Sequence, residues 1–274
     1  MKHSLRARIL AYAFLIIGTT AILAPIAWMI LQSLKGPLDI IAFPPRFVFA
    51  PTLANFGAVL ADGGFRHAML DSIIVGVGAV AIGMAIGIPF AYALSRSEIK
   101  GRFELAEFIL STKMLPAIVV VVPLLQVYKS LHLLDSYPGL IIAHVLVVLA
   151  LIVWVMRSFF DALPIELEEA AYVDGASLFR TMLQIVLPSA APGLVTVAAL
   201  SLILSWNELF FSMTLTSLNV RTLPVFMGTQ YVGFLAVDWG KLSAAGLLAT
   251  LPVVILVMAL QKYLVRGLTM GAVK

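Results

Sequence analysis

The distribution of charged residues constrains the fold of this sequence more than any other feature. Five long intervals carry no charged residue, and a sixth carries only Lys113. These intervals are residues 9–34, 72–95, 108–128, 136–156, 181–207 and 242–261. A helix of about 20 apolar residues crosses the hydrocarbon core of a bilayer. The pattern therefore predicts six membrane-spanning helices, at residues 9–31, 69–94, 106–127, 138–160, 190–213 and 241–263.

The overall composition also indicates a membrane protein. Hydrophobic residues make up 62% of the chain and charged residues only 12%, whereas about a quarter of a soluble domain is charged. Too few polar side chains are present to cover a water-soluble globule. We therefore predict an all-α integral membrane fold in which residues 1–274 form a single transmembrane domain. The sequence has no cysteine, which excludes disulfide bonds, thiolate metal sites and cysteine nucleophiles.

Lysine and arginine residues are distributed unevenly between the two sets of connections. With the N-terminus inside, the cytoplasmic segments hold eleven of these residues and the opposite side holds six. Cytoplasmic connections are normally enriched in lysine and arginine, so we expect both termini to be cytoplasmic. Arg6 and Arg8 precede a first span that is longer than the apolar run of a signal peptide, and we expect this span to be retained.

One cytoplasmic connection, residues 161–188, is long, charged and patterned like a helix. Asp161 is predicted to cap its first helix, because a carboxylate can accept hydrogen bonds from the first backbone N–H groups. Glu166, Glu168 and Glu169 follow in the first turns, where negative charge complements the helix dipole. These residues predict a helix directly after the fourth span.

A glycine is expected to divide this connection into two helices. Gly175 follows Asp174 and predicts a break, because glycine adopts positive φ without strain. A second helix is predicted to begin at Ser177 and to end at Pro188. Its apolar face consists of Leu178, Phe179, Met182, Leu183 and Val186. The connection therefore predicts a helix–turn–helix on the cytoplasmic face, between spans four and five.

Two interpretations of this helix pair are compatible with its pattern. It is either an amphipathic element that rests on membrane lipid or a projection that docks into a soluble protein. The three glutamates favour a protein partner slightly, because the inner leaflet is anionic and repels them.

The spacing of residues in this connection resembles a known family motif. Glu-Ala-Ala is followed after three residues by Gly, then after nine residues by Ile, and then by Leu-Pro after one more residue. The residues in these positions are Glu169, Ala170, Ala171, Gly175, Ile185, Leu187 and Pro188. This arrangement resembles the EAA loop of binding-protein-dependent transporter permeases, and it lies between the fourth and fifth of six predicted spans.

Other segments resemble the carbohydrate branch of that family, and especially the smaller permease subunit of maltose-type transporters. The similar segments are Lys113-Met114-Leu115-Pro116, Leu133–Leu140, Trp206-Asn207-Glu208 and the C-terminal Val265–Lys274. The likeness covers most of the chain and is weakest in the first outer loop.

The resemblance implies a function and a set of partners. A permease of this kind would work with a second permease subunit, two ATP-binding subunits and an extracytoplasmic solute-binding protein, in a bacterial or archaeal cytoplasmic membrane. It would import a sugar, polyol or related glycoside. The sequence has no Gly-x-x-x-x-Gly-Lys-[Ser/Thr] phosphate loop, so ATP and Mg²⁺ are expected on the partner ATPases and no cofactor is expected on this chain. Nucleic acid is not an expected partner.

The resemblance also assigns roles to residues of the connection. Gly175 would fix the corner, Leu178, Phe179 and Met182 would fill a cleft in the ATPase, and Glu169 would offer its carboxylate to basic or amide groups there. The residues expected to couple the permease to the ATPase are Glu169, Ala170, Ala171, Asp174, Gly175, Leu178, Phe179, Met182 and Pro188.

Four polar or aromatic residues within spans are candidates for the lining of the translocation pathway. A charged side chain inside a span is costly unless it is paired, hydrated or extended to the interface. Lys113 therefore either reaches the cytoplasmic interface or lies beside the pathway. Asn207 and Glu208 can bind sugar hydroxyls, and Trp206 can stack on a sugar ring, but Glu208 can equally be solvated near the end of its span.

The remaining motifs exclude most enzymatic functions. His144 is surrounded by aliphatic residues in span four and is predicted to be a hydrogen-bonded packing residue rather than a metal ligand. The sequence contains neither His-Glu-x-x-His nor Gly-x-Ser-x-Gly. We therefore predict a transporter component without a catalytic site or a metal site.

The main alternative is a secondary transporter driven by an ion gradient. Such proteins usually contain repeated halves or carboxylates near the middle of the membrane. Six spans without an evident repeat, together with the spacing of the EAA residues, favour the ATP-driven importer.

Overall fold

The structure is a computed structural model that describes residues 5–233 and 236–270. Lys2 and residues 271–274 of the C-terminal motif lie outside this part of the chain. Within it, the chain is helical except for loops and a single bridge between Val232 and Val237. The first helices are α1 (Leu5–Ser33), α2 (Pro37–Ile40), α3 (Ala54–Ala61), α4 (Gly63–Arg96), α5 (Arg102–Ser111), α6 (Ala117–Ser130) and α7 (Tyr137–Asp161). They are followed by α8 (Glu166–Val173), α9 (Leu178–Thr181), α10 (Leu187–Ser189), α11 (Ala191–Trp206), α12 (Phe210–Leu215), α13 (Leu223–Gln230) and α14 (Trp239–Met270).

Four helices are long and apolar enough to cross a membrane unaided. They are Leu10–Ser33, Gly63–Arg96, Tyr137–Asp161 and Trp239–Lys262. Two bent helix pairs bring the number to six if each pair forms one span: Arg102–Met114 with Ala117–Ser130, and Leu178–Ser189 with Ala191–Trp206. The prediction of an all-helical membrane fold is confirmed, with four to six candidate spans.

The third predicted span, residues 106–127, is broken into two helices. A 3₁₀ turn at Thr112–Met114 ends α5, and the helix axis changes by 95° before α6 begins. Pro116 caps α6 in an extended conformation, and Leu115 before it is also extended. Proline disfavours a helical residue before it and has no N–H to continue the helix. Pro123, in contrast, lies within α6.

The fifth predicted span, residues 190–213, is also discontinuous. Its first part, α11, ends at Trp206, and Asn207 provides the cap. The chain then resumes helical structure in α12 from Phe210. The break at residues 207–209 leaves the first N–H groups of α12 without partners inside that helix, which determines the role of a neighbouring acid described below.

The described chain divides into two compact units. The first consists of the chain up to Arg66 together with Phe226–Leu251. In this unit, the side-chain amide of Asn55 donates to the carbonyl oxygens of Ser33 and Lys35, each at 2.9 Å. Asn55 therefore ties α3 to the end of α1.

The second unit contains His67–Val225 and the chain from Pro252 onward. Its core forms where α4, α7 and α11 pack together. Gly83 and Gly87 of α4 face Ile152 of α7, and a Cβ added at either glycine would lie 2.9 or 2.8 Å from that side chain. The two glycines therefore allow close packing of α4 on α7, because any larger residue would separate the helices.

A carboxylate holds the loop after α12 in place within the second unit. Asp135 lies between α6 and α7, and its carboxylate accepts hydrogen bonds from the backbone N–H groups of Ser217, Leu218, Asn219 and Val220. Burial by itself would raise the pKa of the Asp135 carboxyl, but these hydrogen bonds hold that pKa well below its usual range. The loop is therefore fixed by a charged acceptor at neutral pH.

Candidate functional site

The helix pair predicted for residues 161–188 is present, but its first helix begins later than expected. Asp161 is the last residue of α7 and not the cap of the next helix, so that prediction is wrong. Its carboxylate accepts a hydrogen bond from Ser95 Oγ at 2.5 Å and lies 3.5 Å from Arg157 Nε. The helix α7 therefore ends at Asp161, one residue beyond the predicted span 138–160, and α8 begins at Glu166, with Ile165 at its N-cap position.

The corner between the two helices is formed as predicted by Gly175. This residue has a φ of 79°, in the region that favours glycine. Its N–H donates to Tyr172 O at 3.0 Å, and the N–H of Ala176 donates to Ala171 O at 2.9 Å. These two bonds form a Schellman motif, which satisfies the last carbonyl groups of α8 and sets the direction of the chain that leaves it.

The second helix begins as predicted. The Ser177 hydroxyl accepts a hydrogen bond from the backbone N–H of Arg180 at 3.4 Å and so caps α9. A π-helical turn at Met182–Val186 and the short α10 continue the helix to Ser189, one residue beyond Pro188. A bend of 78° then leads into α11.

The apolar face of this second helix divides into an outward and an inward part. Leu178 is 62% exposed and Phe179 is 68% exposed, which leaves both side chains open to a partner. Met182 is only 9% exposed and lies with Val186 in the core of the second unit. The expectation that Met182 fills a partner's cleft therefore needs correction, because its side chain is already packed inside the chain.

The remaining EAA residues are distributed between surface and interior. Glu169, Ala170 and Asp174 are exposed, as are Gly175 and Pro188. Ala171 is buried and faces inward from α8. The carboxylate of Glu169 on α8 and the apolar side chains of Leu178 and Phe179 on α9 are therefore exposed on adjoining parts of one helix pair.

The sequence placed Glu168 only among the acids at the start of the first helix, and the structure gives it a long-range contact. It lies on the inward face of α8, and its side chain is 5% exposed. One carboxylate oxygen accepts from Arg96 Nε at 2.7 Å and the other accepts from Tyr92 OH at 2.5 Å. A carboxylate one position before the motif gave no signal of this contact, because its partners lie more than 70 residues earlier in the chain.

A cavity of about 670 Å³ opens beside this contact. Pro89, Tyr92 and Arg96 of α4 line one side of the cavity, and Leu178 and Phe179 line another. The helix pair is therefore not packed solidly against the end of α4. Its outward apolar residues border an open space, which is the kind of surface that a protruding side chain of a partner can occupy.

The candidates for pathway lining lie in different surroundings. Lys113 lies on the 3₁₀ turn after α5, and its ammonium group donates to the carbonyl oxygen of Val147. Trp206 is 8% exposed and borders an apolar cavity of about 100 Å³. Asn207 is exposed, and its amide donates to Ile203 O at 2.8 Å. Of this group, Lys113 and Asn207 are the exposed residues.

Glu208 forms an internal cap at the break in the fifth predicted span. Its carboxylate accepts from the backbone N–H groups of Phe211 and Ser212, at 2.8 and 3.0 Å, and from Ser212 Oγ at 3.0 Å. His144 Nε2 lies 3.4 Å from the same carboxylate. The N-terminus of α12 and the imidazole together compensate for the burial of this acid.

His144 is a hydrogen-bonded packing residue, as predicted. It is 1% exposed, and its two ring nitrogens lie 2.7 Å from Ser205 Oγ and 3.0 Å from Ser212 Oγ. The ring therefore connects α7 to both sides of the break between α11 and α12.

Residues 7–270 match the model of the family described as binding-protein-dependent transport system inner membrane component. The chain belongs to this family. It is accordingly a multi-pass permease component of the inner membrane, and members of the family are transport components rather than catalytic subunits.

Relatives with known names share most of the length of this permease. A probable ABC transporter permease protein, y4oR of Sinorhizobium fredii, is 37% identical over 255 residues, which are 92% of this chain and 90% of the relative. The trehalose/maltose transport system permease protein MalG of Thermococcus litoralis is 34% identical over 277 residues, covering 100% of this chain and 99% of the relative.

A solved structure has the same fold as this permease. A chain in the crystal structure of a bacterial ABC transporter involved in the import of the acidic polysaccharide alginate superimposes with a TM-score of 0.83 and 25% identity. The match covers 96% of this permease and 99% of that chain.

Proposed function

We propose that this permease forms part of the translocation pathway of an ATP-driven importer for a sugar, polyol or related glycoside. The proposal is supported by a relative named for trehalose/maltose transport and by a structural neighbour involved in alginate import, and by the geometry of the α8–α9 pair. In the proposed assembly, a second permease subunit completes the pathway, an extracytoplasmic binding protein delivers the solute, and two ATPase subunits bind ATP and Mg²⁺.

The exposed surface of the α8–α9 pair carries this proposal. Leu178 and Phe179 are large, apolar and exposed beside an open cavity, and the Glu169 carboxylate is exposed on the adjoining helix. Burial of the two apolar side chains would stabilise a docked partner. The Gly175 corner fixes the angle between the helices, so a displacement of the docked surface would move α8 and α9 together.

The proposed orientation places both termini and the α8–α9 pair in the cytoplasm, with six spans in one transmembrane domain. Each bent helix pair then counts as one span. The break at residues 207–209 faces the pathway in this arrangement, with the Asn207 amide available to sugar hydroxyls. Trp206, Glu208 and Lys113 would shape the surroundings of this break.

Purification and uptake together test the proposed function. The tagged permease would be extracted from its native host in mild detergent, and the proteins that accompany it would be identified by mass spectrometry. The complex would then be reconstituted in proteoliposomes with the binding protein, and solute uptake would be measured with ATP or with an imposed ion gradient. We expect a second permease and an ATPase to co-purify, and uptake to require ATP. Uptake driven by a gradient alone would contradict the proposal and favour a secondary transporter.

A single substitution tests the docking surface. Phe179→Asp places a charge where we propose that an apolar side chain enters a partner, so the ATPase should be lost from the purified complex. Ile99 is a matched control, because it is 62% exposed and lies in the connection between α4 and α5, outside the helix pair. Ile99→Asp should leave the ATPase bound. Equal retention of the ATPase by both variants would place the docking surface elsewhere.

A further inference from the structure

The inward face of α8 carries a carboxylate in a position where an apolar side chain would normally lie. Glu168 and Ala171 are the buried residues of this helix. Burial of a carboxylate costs free energy, and a well-packed apolar residue usually gives equal or greater stability than a buried ion pair. Stability therefore gives no reason for an acid at this position. The geometry of its contacts offers one.

The carboxylate of Glu168 is held at both oxygens by a single helical turn of α4. Arg96 Nε donates to one oxygen at 2.7 Å, and Tyr92 OH donates to the other at 2.5 Å. Tyr92 and Arg96 are four residues apart, so they lie on the same face of α4. Charge-assisted hydrogen bonds at two points fix both the distance and the rotation of α8 relative to this turn.

Arg96 extends the contact to the chain that enters α8. Its Nη2 donates to Leu163 O at 3.1 Å, in the link between α7 and α8. Ser95, the neighbouring residue, donates to the Asp161 carboxylate at the end of α7. The last turn of α4 therefore holds three successive points along the connection from α7 to α8.

Two features allow this last turn to move with α8. Pro89 lies within α4 one turn before Tyr92, and it removes a backbone hydrogen bond from the helix at that point. Before the proline, α4 is packed closely on α7 through Gly83 and Gly87. After it, Ala91 and Leu94 remain packed in the core with α7, while the face of α4 that carries Tyr92, Ala93 and Arg96 borders the cavity of about 670 Å³. The turn that grips Glu168 thus has open space beside it and an interrupted helix behind it.

We propose that Glu168 is a positioning residue that transmits the displacement of α8 to the cytoplasmic end of α4 through Arg96 and Tyr92. This proposal rests on the proposed function, because the displacement arises from the ATPase. In this arrangement the Gly175 corner keeps α8 and α9 together as one body. The Glu168 contact is the link that carries the movement of that body into a membrane-crossing helix.

Replacement of Glu168 tests this link in the complete importer. Glu168→Ala should leave the ATPase bound and ATP hydrolysis active. The number of solute molecules imported per ATP should fall at least about tenfold, a factor that corresponds to about 1.4 kcal/mol, because the charged hydrogen bonds of the carboxylate are lost. Glu168→Gln keeps the shape of the side chain and should give a smaller loss. Glu166→Gln is the control, because Glu166 is exposed on the same helix and should retain wild-type import per ATP.

A chemical cross-link separates transmission of movement from simple stability. The chain has no native cysteine, so Arg96→Cys and Glu168→Cys can be combined and joined by a short bis-thiol-reactive reagent. The double variant should import poorly per ATP before the reaction and recover after it. Thermal unfolding of the complex would be measured in parallel.

Several results would overturn the proposal. Wild-type import per ATP in Glu168→Ala would show that the contact transmits nothing. A loss of import that follows the loss of assembled complex, and that the cross-link does not restore, would show that Glu168 only stabilises the fold. Absence of ATP-dependent uptake by the unaltered importer would instead overturn the proposed function, and this inference with it.

Discussion

The corner at Gly175 allows a graded test of the helix pair as a rigid unit. Its φ is 79°, and a Cβ added at this position would meet no atom within 4 Å. The whole cost of a substitution therefore comes from the backbone conformation and not from a clash. We expect solute uptake to decrease in the order Gly175, Gly175→Asn, Gly175→Ala and Gly175→Pro.

The magnitude follows from the preferences of each residue for positive φ. Alanine loses about 1–2 kcal/mol in the left-handed region, whereas asparagine tolerates that region better. Proline fixes φ near −65° and so cannot adopt this conformation. It also removes the N–H that donates to Tyr172 O. If the closed corner limits uptake, Gly175→Ala should reduce uptake about tenfold, since about 1.4 kcal/mol corresponds to a factor of ten, and Gly175→Pro should abolish it.

Uptake would be measured in proteoliposomes that contain the complete importer, normalised to the amount of inserted permease. Gly101 offers a matched control, because its φ is 85° and an added Cβ would meet only Glu104 Oε2 at 3.9 Å. Gly101→Ala therefore carries a similar backbone cost in the connection between α4 and α5. We expect it to retain most of the uptake. Equal losses in Gly101→Ala and Gly175→Ala, or no ranking among the Gly175 variants, would refute the reasoning.

Two further predictions concern other parts of the second unit. Gly193→Ala should lower the free energy of unfolding by about 1–3 kcal/mol, because the added Cβ would lie 2.5 Å from Phe159 Cγ. In thermal unfolding, the double variant Gly193→Ala/Phe159→Leu should recover part of the stability that Gly193→Ala loses. Strictly additive losses from the two substitutions would contradict this prediction. The pKa of the Asp135 carboxyl is lower in the folded chain than its unfolded-state value of about 3.9. The hydrogen bonds to its carboxylate are therefore fully present above that unfolded-state pKa, and they are lost only as the pH falls through the lower folded-state pKa. Hydrogen exchange at residues 217–220 should therefore show equal protection at pH 7 and about pH 4.5, and Asp135→Asn should lose that protection at both.

The features that were predictable from sequence are those encoded by neighbouring residues. Long uncharged intervals identify the membrane helices because lipid tolerates few charges. Gly175 identified the corner because a positive φ is a local requirement, and Ser177 identified the start of α9 because a cap acts within three residues. In each case the physical cause and the sequence signal lie within one or two helical turns.

The features that were missed depend on distant parts of the chain. The apolar stripe of the second helix gave no sign that Met182 turns inward while Phe179 stays exposed, because that division is set by packing against other helices. Asp161 was predicted to cap the next helix, but it lies in α7 and its carboxylate accepts a hydrogen bond from Ser95, which is 66 residues earlier in the chain. A proline indicates that a helix is interrupted, but it does not specify the 95° change in helix axis found at Pro116.

Three acids of this permease, Glu208, Asp135 and Asp71, have a common physical role that Glu168 does not share. A break in a membrane helix exposes backbone N–H groups that lipid cannot satisfy. Glu208 accepts such groups at the start of α12, Asp135 accepts four of them after α12, and Asp71 accepts the N–H of Arg221. An acid inside a span is therefore not in itself a sign of a solute site, because a helix break requires an acceptor. Glu168 differs, since its described partners are the side chains of Tyr92 and Arg96 on another helix. A bond between two side chains satisfies no broken backbone, which is why Glu168 is the acid that we assign to the transmission of movement.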